Sequence, residues 1–64
     1  MSVKDEAKEL VLNLFGPSNA QKVDEMDDSD PVVFLDQVKQ MIAAMLGEGI
    51  AEKKMSALYT KYGA

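Results

Sequence analysis

The chain has 64 residues and contains no cysteine, histidine, tryptophan or arginine. Without cysteine it can form neither disulfides nor thiolate metal sites. Histidine is the commonest transition-metal ligand and the usual acid or base near neutral pH, so its absence removes both roles. Catalysis would fall to carboxylates, lysines, Tyr59 and Tyr62, which need a cavity that perturbs their pKa values. A core this small offers little room for one, so we expect no enzyme, metal or cofactor site.

Long apolar runs are also lacking. The longest, residues 41–46, is far shorter than the ~20 residues of a membrane span. The N-terminus begins Met-Ser-Val-Lys-Asp-Glu and does not have the cationic and then apolar layout of a signal peptide. We therefore expect a cytoplasmic protein with no membrane partner.

Basic residues are outnumbered by acidic ones, and the net charge is −4. Residues 1–30 hold three lysines against eight acidic residues, a net charge of −5, whereas residues 31–64 hold four lysines against three, a net charge of +1. Nucleic-acid binding requires a basic face that neutralises phosphates. The composition therefore predicts no nucleic-acid partner.

An internal repeat of about 31 residues organises the chain. Under this shift the apolar residues Val3, Ala7, Leu10, Val11, Leu14 and Phe15 fall on Phe34, Val38, Met41, Ile42, Met45 and Leu46. Gly16 falls on Gly47, and the alanine four residues after each glycine is also shared. The repeat predicts one all-α domain over residues 1–64, a small bundle of two tandem helical hairpins at about 2–27 and 30–63.

Each repeat indicates a helix, a glycine stop and a second helix. Ser2 is the predicted cap of the first helix, and Gly16 ends it in a left-handed conformation. Ser18 begins a capping box for the second helix. Asp30 before Pro31 is a strong start for the third, which should end at Gly47. The fourth should begin near residue 49 and close at residue 63.

Helix 3 is too apolar for one small bundle to cover. The apolar faces of helices 2, 3 and 4 place four methionines in the predicted core: Met26, Met41, Met45 and Met55. Five further apolar residues lie off the main faces: Leu12, Val32, Val33, Ala43 and Ala44. Contiguous apolar patches usually mark contacts between proteins. We therefore predict a non-enzymatic interaction module that uses these five residues to form a homodimer or to bind another protein.

The acidic connector 24–30 allows two other interpretations. It has the oxygens of a calcium loop but no glycine at the turn, so a solvated connector is favoured over a cation site. Asp28-Ser29 ahead of helix 3 also looks superficially similar to the prosthetic-group motif of acyl carrier proteins. Asp30 and Pro31 replace the apolar residues of that motif, which favours Ser29 as a connector residue. An acidic carrier or ligand-binding protein that uses Ser29 or a methionine-lined cavity stays the alternative, together with a subunit of a larger complex.

Overall fold

The computed structural model describes residues 2 to 63, which fold into four α-helices. Helix α1 spans Val3–Phe15, α2 spans Pro17–Asp24, α3 spans Pro31–Leu46 and α4 spans Glu48–Tyr62. The predicted all-α bundle of four helices is confirmed, whereas the 31-residue duplication stays a prediction. Over the same stretch, no helix combines the length and the apolar content that crossing a membrane requires.

Helix α1 begins and ends where the sequence predicts. The side chain of Ser2 accepts a hydrogen bond of 3.1 Å from the backbone N–H of Asp5. This bond satisfies one of the donors that a helix start leaves without an intrahelical partner. Asp5 and Glu6 place negative charge at the positive end of the helix dipole. At the other end, the backbone N–H of Gly16 donates to the carbonyl of Leu12 at 3.0 Å.

A single glycine separates the two helices of each pair. Gly16 and Gly47 both have a φ of 94°, with ψ values of −179° and 157°. Glycine is essentially the only residue that adopts this region. The N–H of each glycine closes one helix, and its carbonyl accepts the first bond of the next helix, from Ala20 or Ala51. The predicted stops are confirmed, but ψ is extended rather than left-handed helical because the next helix starts at once.

Helix α2 begins one residue before the predicted capping box. Gly16 is its N-cap, Pro17 is its first residue, and no side chain caps it. The prediction that Ser18 caps this helix is therefore wrong. The ring of Pro17 fixes φ near the helical value, and its missing N–H costs nothing at the first helical position. Ser18 consequently lies inside the first turn.

The predicted boundaries of α3 are confirmed and those of α4 shift slightly. Asp30 Oδ1 accepts hydrogen bonds from the backbone N–H groups of Val32 and Val33, at 3.1 and 3.3 Å. Helix α3 then runs to the residue before Gly47. Helix α4 starts at Glu48, one residue before the expected position, because the N-cap is Gly47 itself. Gly63 ends α4 with an ordinary φ of −93°.

The core is purely apolar. Its buried members within residues 2 to 63 are Val3, Ala7, Val11, Ala20, Val23, Phe34, Leu35, Val38, Ile42, Ala51, Met55 and Leu58. Met26 and Met41 pack against its edge. The prediction that Met45 belongs to the core is wrong, since its side chain is 51% exposed. Met45 and Leu46 form the last turn of α3, and apolar periodicity fixes the side of a helix but not how far along it the core extends.

Both helix pairs are antiparallel hairpins held at their edges by lysines. Near the start of α1, Lys4 Nζ donates to the carbonyl of Asp24 at 2.9 Å, and Lys8 Nζ to its carboxylate at 3.1 Å. Asp24 is the last residue of α2. In the second hairpin, Lys39 Nζ lies 3.7 Å from the carboxylate of Glu52. Exposed pairs of this kind contribute about 0–1 kcal/mol each, so the apolar core provides most of the stability.

Helix α1 joins the two hairpins by packing against both α3 and α4. At the end of this contact, Glu6 in the first turn of α1 accepts hydrogen bonds from the hydroxyl of Tyr62 and from Lys61 Nζ, the latter at 3.2 Å. Both donors belong to the last turn of α4. The start of α1 therefore lies against the end of α4.

We expect the same substitution to have opposite effects at Gly47 and Gly49. A Cβ added at either position meets no other atom within 4 Å, so only backbone conformation differs. Gly47→Ala places alanine at a φ of 94° and should lower the free energy of unfolding by about 1–3 kcal/mol. Gly49 lies in α4 with a negative φ, and Gly49→Ala should raise that free energy by about 0.5–1 kcal/mol. Urea denaturation followed by circular dichroism measures both free energies of unfolding. A neutral or stabilising effect of Gly47→Ala would contradict the requirement for glycine at this junction.

Candidate interaction surface

The outer side of α3 carries four exposed residues on one line. We call this line the α3 stripe, and it consists of Val33, Gln37, Gln40 and Ala44. The spacing of four, three and four residues keeps them on one side of an α-helix. The fully buried residues of the same helix, Phe34, Leu35, Val38 and Ile42, lie on the opposite side. The stripe therefore points directly away from the core.

Charge is nearly absent from the exposed part of α3. Its exposed positions are Val32, Val33, Asp36, Gln37, Gln40, Ala44, Met45 and Leu46. Asp36 is the single charged residue among them, and its carboxylate accepts a hydrogen bond from the hydroxyl of Tyr59. Helix α4, by contrast, exposes five charged residues: Glu48, Glu52, Lys53, Lys54 and Lys61. A surface depleted of charge is typical of the centre of a protein–protein interface.

Large apolar side chains are also exposed at both ends of α3, on several sides of the helix. Val32 and Val33 in the first turn are 41% and 50% exposed. Met45 and Leu46 in the last turn are also exposed, and Ile50 follows in the first turns of α4 at 45%. These exposed side chains at the two ends of α3 are more than the isolated exposures that any protein surface shows.

Two of the five predicted interface residues, Ala43 and Leu12, do not lie on the exposed outer side of α3. Ala43 is half-buried and packs against the core, because α4 covers that side of α3. Leu12 is 47% exposed but belongs to α1, on the side of that helix away from Val3 and Ala7. Val33 and Ala44 are therefore the predicted residues that lie on the α3 stripe, one at each end, and Val32 is exposed beside Val33.

Two open grooves lie between pairs of helices. The larger, of about 340 Å³, runs between α1 and α4 and is lined by Glu6, Glu9, Leu10, Asn13, Lys54, Ala57 and Leu58. The smaller, of about 250 Å³, runs between α3 and α4 and is lined by Asp36, Lys39, Gln40, Ala43 and Glu48. Neither groove is lined by methionine, so neither matches the methionine-lined cavity of the carrier alternative.

Tyr59 and Asp36 form a polar contact that sequence reasoning missed. The residues lie 23 positions apart, and the tyrosine hydroxyl donates to the aspartate carboxylate. Burial, the hydrogen bond and the negative charge of Asp36 raise the pKa of Tyr59 from 10.0 to about 12. One signal was available, since a tyrosine beside an apolar stripe needs a partner for its hydroxyl. This hydrogen bond engages Asp36, which is the single charged residue among the exposed positions of α3.

The acidic connector uses its carboxylates locally. Asp27 Oδ1 accepts a hydrogen bond of 3.0 Å from the backbone N–H of Ser29. This bond, and a second one from the Ser29 hydroxyl, lower the pKa of Asp27 from its ordinary 3.8. Asp30 caps α3, and Asp28 lies 4.0 Å from Lys4 Nζ. From residue 2 to residue 63, no three acidic side chains converge closely enough to hold a metal ion. The side chain of Ser29 is exposed and is held by Asp27.

Comparison with known proteins identifies no relative. No protein-family model matches the chain, and no curated protein and no solved structure matches it either. The surface chemistry described above therefore carries the functional argument by itself.

We expect the ring of Tyr59 to titrate at a pH of about 12 in the folded chain. Because the folded pKa is raised above 10.0, folding holds the phenol proton more tightly than the unfolded chain does. The resulting stability is complete below pH 10.0 and is lost as the pH rises toward about 12. Nuclear magnetic resonance of ring-labelled tyrosine follows Tyr59 and Tyr62 separately. Asp36→Ala should move the Tyr59 pKa toward its ordinary value, and a Tyr59 that titrates normally in the unaltered chain would contradict the contact.

Proposed function

We propose that this chain is a protein–protein interaction module that forms a homodimer through the outer face of α3. The observation that carries the proposal is the α3 stripe, whose four positions are all exposed and include no charged residue. No catalytic, metal-binding, cofactor or nucleic-acid role is part of the proposal. A cytoplasmic location is part of it, as an expectation from the sequence.

The charge distribution favours the α3 stripe as the face through which a second copy binds. Each chain has a net charge of −4, so two copies repel one another over most of their surface. Like charges directly opposed across an interface cost several kcal/mol. The α3 stripe has no charge to oppose, and Asp36 at its edge is engaged by Tyr59. Two copies can therefore approach through this face with the least repulsion.

The size of the chain limits how strong the dimer can be. A standard interface buries about 800 Å² on each partner, which would be about a fifth of the 3929 Å² that this chain exposes. The stripe of one helix provides less than that area, so we expect a weaker association than a standard interface gives.

We expect Val33→Glu combined with Ala44→Glu to separate the dimer. The pair places a carboxylate from each copy at both ends of the α3 stripe, and both positions are exposed, so helicity should be unchanged. Sedimentation velocity over micromolar concentrations at about 0.15 M salt should give twice the 7.0 kDa monomer mass for the unaltered chain and the monomer mass for the variant.

A matched control carries the same added charge on another face. Ser56→Glu combined with Thr60→Glu alters two exposed positions on the outer side of α4 and should leave the dimer intact. Leu12→Glu measured beside it decides whether α1 belongs to the interface. A chain that sediments as a monomer at every concentration would contradict homodimerisation and leave a different protein as the partner.

We expect Ser29 to carry no prosthetic group in the chain purified from its native host. An exposed serine ahead of α3 supports the carrier alternative, whereas Asp30 and Pro31, which follow that serine, depart from the carrier motif. Intact mass spectrometry distinguishes the two functions, and Ser29→Ala is the control. A prosthetic group attached to Ser29 would contradict our expectation and support the carrier.

A further inference from the structure

The arrangement of the α3 stripe also defines how two copies would pair, an inference that rests on the proposed homodimer. We propose that the α3 helices of two copies pack antiparallel about a two-fold axis that passes between Val38 and Lys39. In this arrangement Val33 contacts the partner's Ala44, and Gln37 contacts the partner's Gln40. Each contact occurs twice, as two-fold symmetry requires.

The spacing of the stripe allows this pairing. Steps of four, three and four residues are those of the seam along which two helices pack in a coiled coil. The same series results when the stripe is followed from its other end. A two-fold axis through the centre of the stripe therefore places each stripe position of one helix opposite a stripe position of the other helix. No stripe position is left without a partner.

The side chains are complementary in the antiparallel order. Valine opposite alanine places a larger residue against a smaller one at both ends of the seam, which keeps the helix axes evenly spaced. The parallel order would put two valines together at one end and two alanines at the other, so the helices would diverge. In the centre, each glutamine carboxamide has both donors and an acceptor, and the partner's glutamine can satisfy them.

Charge favours the same order. Asp27, Asp28 and Asp30 immediately precede α3, and a parallel pair would bring both acidic connectors to the same end. An antiparallel pair separates them by the length of the 16-residue helix, about 24 Å, which exceeds the screening length of about 8 Å in physiological salt. Glu48 of the partner is then the carboxylate nearest each connector, a smaller repulsion than three acidic residues facing three.

Disulfide trapping tests the pairing, because the chain contains no cysteine of its own. Val33→Cys and Ala44→Cys are prepared as separate proteins, mixed and oxidised. The antiparallel pair should yield the mixed disulfide several-fold more than either homodimeric disulfide, and the two variants differ in mass, so intact mass spectrometry identifies each product. In that arrangement, residue 33 of one copy lies about 16 Å along the axis from residue 33 of the other, too far for a disulfide.

Ser56→Cys, on the exposed side of α4, measures crosslinking by random collision. Efficient crosslinking of Val33→Cys alone would overturn the antiparallel order in favour of a parallel one. A dimer that sediments normally but crosslinks at neither position above the Ser56→Cys background would overturn pairing through α3 and retain the homodimer. A chain that stays monomeric in sedimentation would overturn the homodimer and this pairing together.

Discussion

The two single-glycine junctions impose the constraint on which the remaining structure depends. With a φ of 94° and an extended ψ, Gly16 and Gly47 each reverse the chain between two helices without a loop. The next helix must therefore pack at once against the one before it. Ala20 and Ala51, each the fourth residue of the helix that follows a junction, are buried, and their small side chains permit the close approach. The hairpins, and hence the sides of α3 that are covered or exposed, follow from these two residues.

The core contains only apolar side chains, yet it does not take up all the apolar residues of α3. Phe34, Leu35 and Ile42 are fully buried, so α3 is covered on its inner side by α1 and α4. Four helices of this length cannot cover its outer side as well. A chain of 64 residues buries only about 60% of the surface of its unfolded form, and its stability is correspondingly modest. Apolar residues that remain outside, such as Val33, are consistent with a fold that gains stability from association.

The sequence was sufficient for most of the fold because helix periodicity and glycine stops are local signals. Val11, Val38 and Met55 are buried where their spacing places them. Met45 was misassigned because periodicity does not reveal the length of the core, and Ala43 is more covered than expected because the width of a covered face depends on the neighbouring helix. The contacts of Tyr59 with Asp36 and of Tyr62 with Glu6 join residues 23 and 56 positions apart, and no local pattern predicts which carboxylate a hydroxyl meets.

The contact between Glu6 and the last turn of α4 has a consequence for how the chain folds. Most of the packing is local, within α1–α2 or α3–α4, and local contacts favour rapid folding. The bonds from Lys61 and Tyr62 to Glu6 close loops of 55 and 56 residues, which carry a larger entropic cost than any contact within a hairpin. Each hairpin can therefore form early by itself, while docking of the two through α1 and α4 completes the fold and protects both terminal turns from fraying.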